Sequence, residues 1–123
     1  MSTTNLTEKN FEKTVKEGIV FVDFWADWCG PCKAFAPIYE KTAEQHPDIV
    51  FGKVNTEEEN ELAAAFRISA IPTLMAFREG IPVLAQPGLL PGPALEELVG
   101  KVRELDMEDV RQRLKASQKK ASA

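Results

Sequence analysis

Cysteine, histidine and long apolar runs are all scarce in this chain of 123 residues. Its two cysteines and single histidine, His46, cannot supply the usual four ligands of an intrachain zinc centre, which leaves only a metal shared between two chains. Nowhere does the sequence approach the roughly 20 consecutive apolar residues of a membrane-spanning helix. Basic charge is also short: 15 Lys and Arg stand against 19 Asp and Glu, a net charge of -4. With no basic stripe to displace counterions, nucleic acid is not an expected partner. Met1 to Gly18 alternates polar and charged types, so no export signal is expected, and the chain reads as a soluble, cytoplasmic, monomeric protein. Its length suits one domain that buries roughly 65% of the unfolded chain's surface without a covalent staple.

What cysteine there is lies in one place. Trp28-Cys29-Gly30-Pro31-Cys32 follows the apolar run Ile19 to Trp25 and precedes a segment with helical periodicity. Sulfurs at i and i+3 on a first helical turn have Cβ atoms roughly 5 to 6 Å apart, close enough for a small adjustment to close a disulfide. The loop so closed is too short for the bond to act mainly as a staple. The pair reads instead as a redox centre in a strand-then-helix setting, and a reducing compartment suits a dithiol that must be regenerated.

Around it the elements alternate. Thr7 is a candidate N-cap for a short helix with Leu6, Phe11 and Val15 inward and Gly18 at its end. Ile19 to Trp25 is too apolar for a half-exposed strand and reads as a central one, with Asp23 as its anomaly. Phe35, Ile38, Tyr39 and Thr42 recur at helical spacing up to His46-Pro47-Asp48, and Pro37 should kink that helix. A strand over Ile49 to Asn55 leads to a helix with the acidic start Glu57-Glu58-Glu59 and the inner face Leu62, Ala65, Phe66. Thr73 to Phe77 and Val83 to Gln86 flank Glu79-Gly80 as a hairpin, and Pro82 suggests an edge strand. Pro91-Gly92-Pro93 opens a helix with Leu95, Leu98, Val99 and Val102 on one face. The order helix, strand, helix, strand, helix, hairpin, helix implies an α/β fold, a central mixed sheet flanked by helices on both faces. The domain is expected over 1–104. In the extension 105–123, Asp106 caps a short helix with Met107, Val110 and Leu114 aligned, and Ala116 to Ala123 is expected to be disordered. That helix either packs on its own domain or binds a partner. His46 is expected in an exposed loop without a function.

Val22-Asp23-Phe24-Trp25-Ala26-Asp27-Trp28-Cys29-Gly30-Pro31-Cys32-Lys33, Ala36-Pro37 and Ile71-Pro72-Thr73-Leu74 together resemble the thioredoxin family of bacterial type. The resemblance covers about Leu6 to Arg103. It implies the thioredoxin fold, with the active site where the helix begins near Pro31. It also implies disulfide reductase activity, recharged by a thioredoxin reductase that draws on NADPH, with no cofactor bound beyond the reversible Cys29–Cys32 disulfide.

Chemistry follows from that placement. Cys29 precedes the helix and is expected to be exposed, whereas Cys32 lies about a turn inside and is shielded by backbone. Free N–H groups and the positive helix end favour a Cys29 thiolate by up to roughly 2 kcal/mol, about 1.5 pKa units, and the family is itself a standard instance of such lowering. Cys29 would attack a client disulfide and Cys32 would resolve the mixed disulfide. Asp23 is the local candidate to take the Cys32 proton, its pKa raised by desolvation; the competing reading has it capping a turn at a strand end. Lys53 matches the family lysine near that aspartate, although a strand lysine facing solvent is the default elsewhere. For Pro72, sequence physics alone favours trans, since only about 5 to 6% of X-Pro bonds are cis; the resemblance implies cis, with the Ile71 backbone beside Cys29, free to pair with an extended client, and metal kept from the sulfurs. Trp28, Gly30, Pro31, Ile71, Pro72 and Gly88 would form a shallow apolar groove. Trp25 matches a family tryptophan behind the site, or is an ordinary core aromatic, and Pro37 gives structural support.

Three positions depart from the family pattern. Pro87 precedes Gly88 where many relatives carry a β-branched residue, which removes a donor near the groove. Ser69-Ala70 replaces a more basic or Gly-containing pair, and the extension passes the usual end. Two other functions compete with the reductase. A dithiol oxidase or isomerase would favour a different dipeptide than Gly30-Pro31 and an oxidising compartment, and a non-catalytic binding subunit or holdase would not need the cysteines at all.

Overall fold

The computed structural model describes the backbone of residues 2–122 and the side chains of residues 2–118. Ten elements follow the chain: β1 (Thr3–Asn5), α1 (Phe11–Val15), β2 (Ile19–Trp25), α2 (Gly30–Gln45), β3 (Val50–Asn55), α3 (Asn60–Ala65), β4 (Thr73–Arg78), β5 (Ile81–Pro87), α4 (Gly92–Glu104) and α5 (Met107–Ser122). The five strands form one mixed sheet in the order β1-β3-β2-β4-β5. β1, β3 and β2 are parallel, and β4 and β5 are antiparallel additions.

β2 is central because both its faces are apolar. Phe21 joins Phe35, Tyr39, Leu95 and Val99 beneath α2 and α4, while Val20, Val22 and Phe24 join Phe11, Val15 and Met75 beneath α1. Full burial of a side chain such as Phe21 stabilises the fold by about 2 to 3 kcal/mol. By the same alternation, Asp23 and Trp25 share the face of Phe21, beneath α2. Gly52 on β3 lets Leu6 approach: a Cβ at position 52 would collide with the Leu6 side chain. The hairpin has positive φ at both Glu79 (54°) and Gly80 (81°), the twist that suits a two-residue connection. Val83 has no register partner between the Phe77–Pro82 and Ala76–Leu84 pairs, so the edge strand is bulged where proline could not have donated.

Four expectations need correction. The chain opens on a strand, not a helix, because the free edge of β3 recruits Thr3–Asn5 in parallel register despite their polarity. Asn10, not Thr7, precedes the first helix; its Oδ1 accepts from the Thr7 N–H at 2.7 Å and holds residues 7–10 in a turn. Glu57-Glu58-Glu59 forms a turn ahead of α3, held by the Asn55 side chain and carbonyl, and Ala63 rather than Ala65 is the buried helix residue. In the extension, Asp106 Oδ1 does accept from Glu108 and Asp109 N–H, and Met107 is buried, but Leu114 is 42% exposed. α5 also continues through residues 116–122, where disorder is expected from composition; Ala123 lies outside the described residues.

Candidate redox site

The chain leaves β2 at Trp25, turns through Ala26-Asp27-Trp28 and enters α2 with Cys29 as its N-cap. Cys29 has extended backbone angles (φ -89°, ψ 110°), and its sulfur accepts the Cys32 N–H at 3.1 Å. Pro31 occupies the first turn, where a missing N–H costs nothing. No acidic residue stands in that turn, so no fixed carboxylate competes with a thiolate for the positive helix end. Cys29 and Cys32 are joined as a disulfide with a Cα–Cα distance of 5.2 Å.

Exposure of Cys29 is not as expected: it is 4% exposed against 3% for Cys32. Its sulfur, joined to that of Cys32, lies 3.7 Å from the carbonyl oxygen of Ile71. The Ile71–Pro72 peptide is cis, as the resemblance implies and against the base rate. Gly88 N–H donates to the Pro72 carbonyl at 2.8 Å, which ties the end of β5 to this loop. Trp28 lies over the surface at 69% exposure, and exposed Leu89, which sequence reasoning missed, follows Gly88. Glu57 was missed as well: its Oε1 accepts the Trp28 indole N–H at 2.5 Å. Nothing in a run of three glutamates distinguishes this one before β3 is seen to end beside Trp28.

Beneath the helix, Asp23 is fully buried, and neither carboxylate oxygen has a hydrogen-bond partner among the described residues. Burial pushes its pKa up from 3.8 to about 7, opposed by the Lys53 charge. Lys53 is its register partner on β3, and its Nζ sits 5.0 Å above the Trp25 ring. The Trp25 indole nitrogen is likewise buried without a partner. Lys53 and Trp25 line a polar cavity of about 370 Å³ that Asn5, Asp27 and Asn55 also border. Burial, and after it the Asp23 charge, pushes up the pKa of Tyr39, whose hydroxyl donates to the Gly52 carbonyl at 2.8 Å. Gly30 and Pro31 are exposed beside the disulfide, and Pro37 is an exposed position inside α2.

His46 does not stand in an exposed loop. It caps the C-terminal end of α2, its Nε2 lies 2.8 Å from Glu96, and its Nδ1 lies 3.0 Å from an Arg103 nitrogen. Arg103 in turn grips Asp48 through two bonds of 2.7 and 2.9 Å, which holds the Asp48 carboxyl at a pKa of about 2. Among the described residues no three His, Cys, Asp or Glu side chains gather as a metal site.

A strand-to-helix turn that caps a helix with one sulfur, closes on a second a turn later and faces a cis-proline loop defines a dithiol–disulfide exchange protein. The family model described as Thioredoxin matches residues 2–101. "Putative thioredoxin 2" of Streptomyces coelicolor is 55% identical over 121 residues, covering 98% of this chain and 90% of that protein. The thioredoxins of Alicyclobacillus acidocaldarius (41% over 103 residues) and Bacillus subtilis (37% over 102) each cover 82% of this chain, and the match spans 98% of their own length. The chain belongs to the thioredoxin family and has its fold. A match over 98% of the chain takes in most of α5, so the Streptomyces protein shares the extension.

Proposed function

We propose that the protein is a general protein-disulfide reductase, recharged by a thioredoxin reductase at the expense of NADPH. The observation that carries this reading is the Cys29 sulfur at the start of α2, 3.1 Å from the Cys32 N–H and 3.7 Å from the Ile71 carbonyl, above a buried carboxyl with a pKa near 7. In the reduced protein the helix end stabilises a Cys29 thiolate. That thiolate attacks one sulfur of a client disulfide, forms the mixed disulfide and expels the other client sulfur as a thiolate. Asp23 takes the proton of Cys32, directly or through water. Cys32 then attacks Cys29, closes the intrachain disulfide and expels the second client sulfur, so the client gains two electrons and the protein loses two. The reductase returns two electrons and two protons.

Lys53 tunes Asp23: its cation favours the carboxylate, against the burial that favours the acid. Trp28, Gly30, Pro31, Ile71, Pro72 and Gly88 form the client groove, and the Ile71 N–H, unpaired among the described residues, is free to bond an extended client segment. Trp25 and Pro37 support the site from behind and from within α2. Residues 1–104 form the redox domain and 105–123 an extension to it. No described helix is long and apolar enough to cross a membrane, and cytoplasmic location, monomeric state and a role in cell redox balance belong to this reading.

The test is NADPH-driven reduction of insulin disulfides with a thioredoxin reductase. Wild type should turn over and the double variant Cys29→Ser, Cys32→Ser should not. Turnover by both would remove the dithiol from the mechanism.

A further inference from the structure

Near the groove lies an opening of about 230 Å³, lined by Arg67, Ile68, Ala70, Met75, Ala85 and Pro87 among others. Its lining adjoins the cis-proline loop along the chain. Ala70 is one residue, about 3.8 Å of chain, from Ile71, whose carbonyl touches the Cys29 sulfur. Pro87 pairs in register with Thr73 and precedes Gly88, the residue bonded to the cis proline.

Arg67 is unusual twice over. It stands where α3 ends in a Schellman turn: its N–H donates to Ala64 at 3.0 Å, and the Ile68 N–H donates to Ala63 at 3.0 Å. That position requires a left-handed backbone and usually holds glycine, yet Arg67 adopts it at φ +54°. Its guanidinium is also unengaged. Arg78, Arg103, Arg111 and Arg113 each hold a carboxylate or a row of carbonyls, whereas Arg67, exposed, makes no side-chain hydrogen bond or ion pair among the described residues. Near Trp28 stand the acidic groups Asp27, Glu57 and Glu58, with Lys53 lining the same cavity as Asp27 and Glu58. Arg67 is therefore an unpaired cation, among the described residues, on the lining of an apolar recess next to the cis-proline loop.

We propose that this recess is a client subsite in which an apolar side chain of an extended client segment is buried, and that Arg67 selects segments carrying a carboxylate near the attacked disulfide. The proposal rests on the reductase reading and deepens it. An acidic client residue gains a partner at Arg67 and meets repulsion near Asp27 and Glu57, so these charges set both preference and the way the segment lies. A cation at a helix C-terminus also interacts with the helix dipole, but that role changes stability and is blind to the client's sequence.

The two are separated with disulfide-bonded peptides that differ only in one residue, Glu, Ala or Lys, placed in turn at one to four positions from the attacked cysteine. The readout is the ratio of kcat/KM for the Glu and Lys peptides within each protein, which cancels any general change in activity. Wild type should favour Glu about three- to fivefold at one position at low salt, a preference that fades at high salt. Arg67→Lys should keep most of it, Arg67→Gly should bring the ratio to about one, and Arg67→Glu should invert it. A wild-type ratio of one at every position, or an unchanged ratio in Arg67→Gly, overturns the proposal. Failure of wild type to reduce the Ala peptide would instead overturn the reductase reading.

Discussion

The two ends of α2 sit on one helix and obey opposite rules. At its C-terminal end polar groups are matched: His46 with Glu96, Arg103 with Asp48. Nearby, Arg78 donates to the carbonyls of Val102, Arg103 and Leu105 and so closes α4. At its N-terminal end they are left wanting. Both oxygens of Asp23 and the nitrogen of Trp25 are buried without partners among the described residues, beneath a helix start where the Cys32 N–H donates to the Cys29 sulfur. An unmatched buried carboxyl costs stability. The difference teaches that one end is built to hold the fold and the other to keep groups reactive, with stability surrendered where chemistry is needed.

The largest expected effect separates the ends outright. Cys29→Ser should lower the rate of client reduction by at least about a thousandfold, because the hydroxyl is scarcely ionised at neutral pH. In Cys32→Ser the first attack should survive and the mixed disulfide accumulate on Cys29. Trapping of clients on residue 32 in Cys29→Ser, but not on Cys29 in Cys32→Ser, would exchange the two roles.

Asp23→Asn tests whether the site is unstable by construction. With the pKa raised from 3.8 to about 7, the folded state retains between those values a proton that the unfolded state has released. Stability contributed by the protonated acid is thus present below pH 4 and lost as pH rises through 7. Asn, uncharged throughout, should be more stable at pH 8 by up to roughly 4 kcal/mol, with the gap closing toward pH 4 in denaturant titrations. The same variant should slow resolution of the mixed disulfide more than initial attack. A gap independent of pH would mean that Asp23 is not the group that titrates.

At the matched end, Arg78→Leu leaves three helix-terminal carbonyls without their cation and should cost about 2 kcal/mol in denaturant unfolding, with little change in reduction rate. If it slowed reduction as much as it destabilised, the two ends would not be independent. The Arg103–Asp48 pair is exposed, so Arg103→Ala should lower the thermal midpoint by only about 1 to 3 °C. Asp48, held at a pKa of about 2, contributes above pH 4 and loses that contribution as pH falls through 2, opposite in sign to Asp23. The smallest effect is expected for Glu57→Ala, which frees the Trp28 indole and should change kcat/KM for a peptide client by about two- to threefold, through KM. Glu57→Gln, able to accept the same bond, should restore it.

Much of this contrast was legible at the reactive end. Two cysteines at i and i+3 after an apolar run mark a helix start by spacing alone, and Asp23 stands out because its neighbours are Val22 and Phe24. The matched end was illegible. His46 and Asp48 follow α2 whereas Glu96 and Arg103 lie on α4, and the distance of 50 residues between His46 and Glu96 leaves no period to read. β1 escaped for a related reason: Thr3–Asn5 has no apolar alternation, and only the open edge of β3 makes it a strand. Leu114 failed in the other direction, since helical spacing aligned it with Met107 although it stays 42% exposed.

Sequence by itself determined the dithiol, the helix that begins on it, the apolar central strand and the hairpin at Glu79-Gly80, because each depends on residues a few positions apart and on local backbone preference. Tertiary structure decided the burial that lifts Asp23, the Glu57 bond that holds Trp28, the approach of the Cys29 sulfur to the Ile71 carbonyl and the placement of Arg67 near the groove. Those depend on which strands neighbour one another, and a free energy of contact between distant residues is set only once the sheet order brings them together.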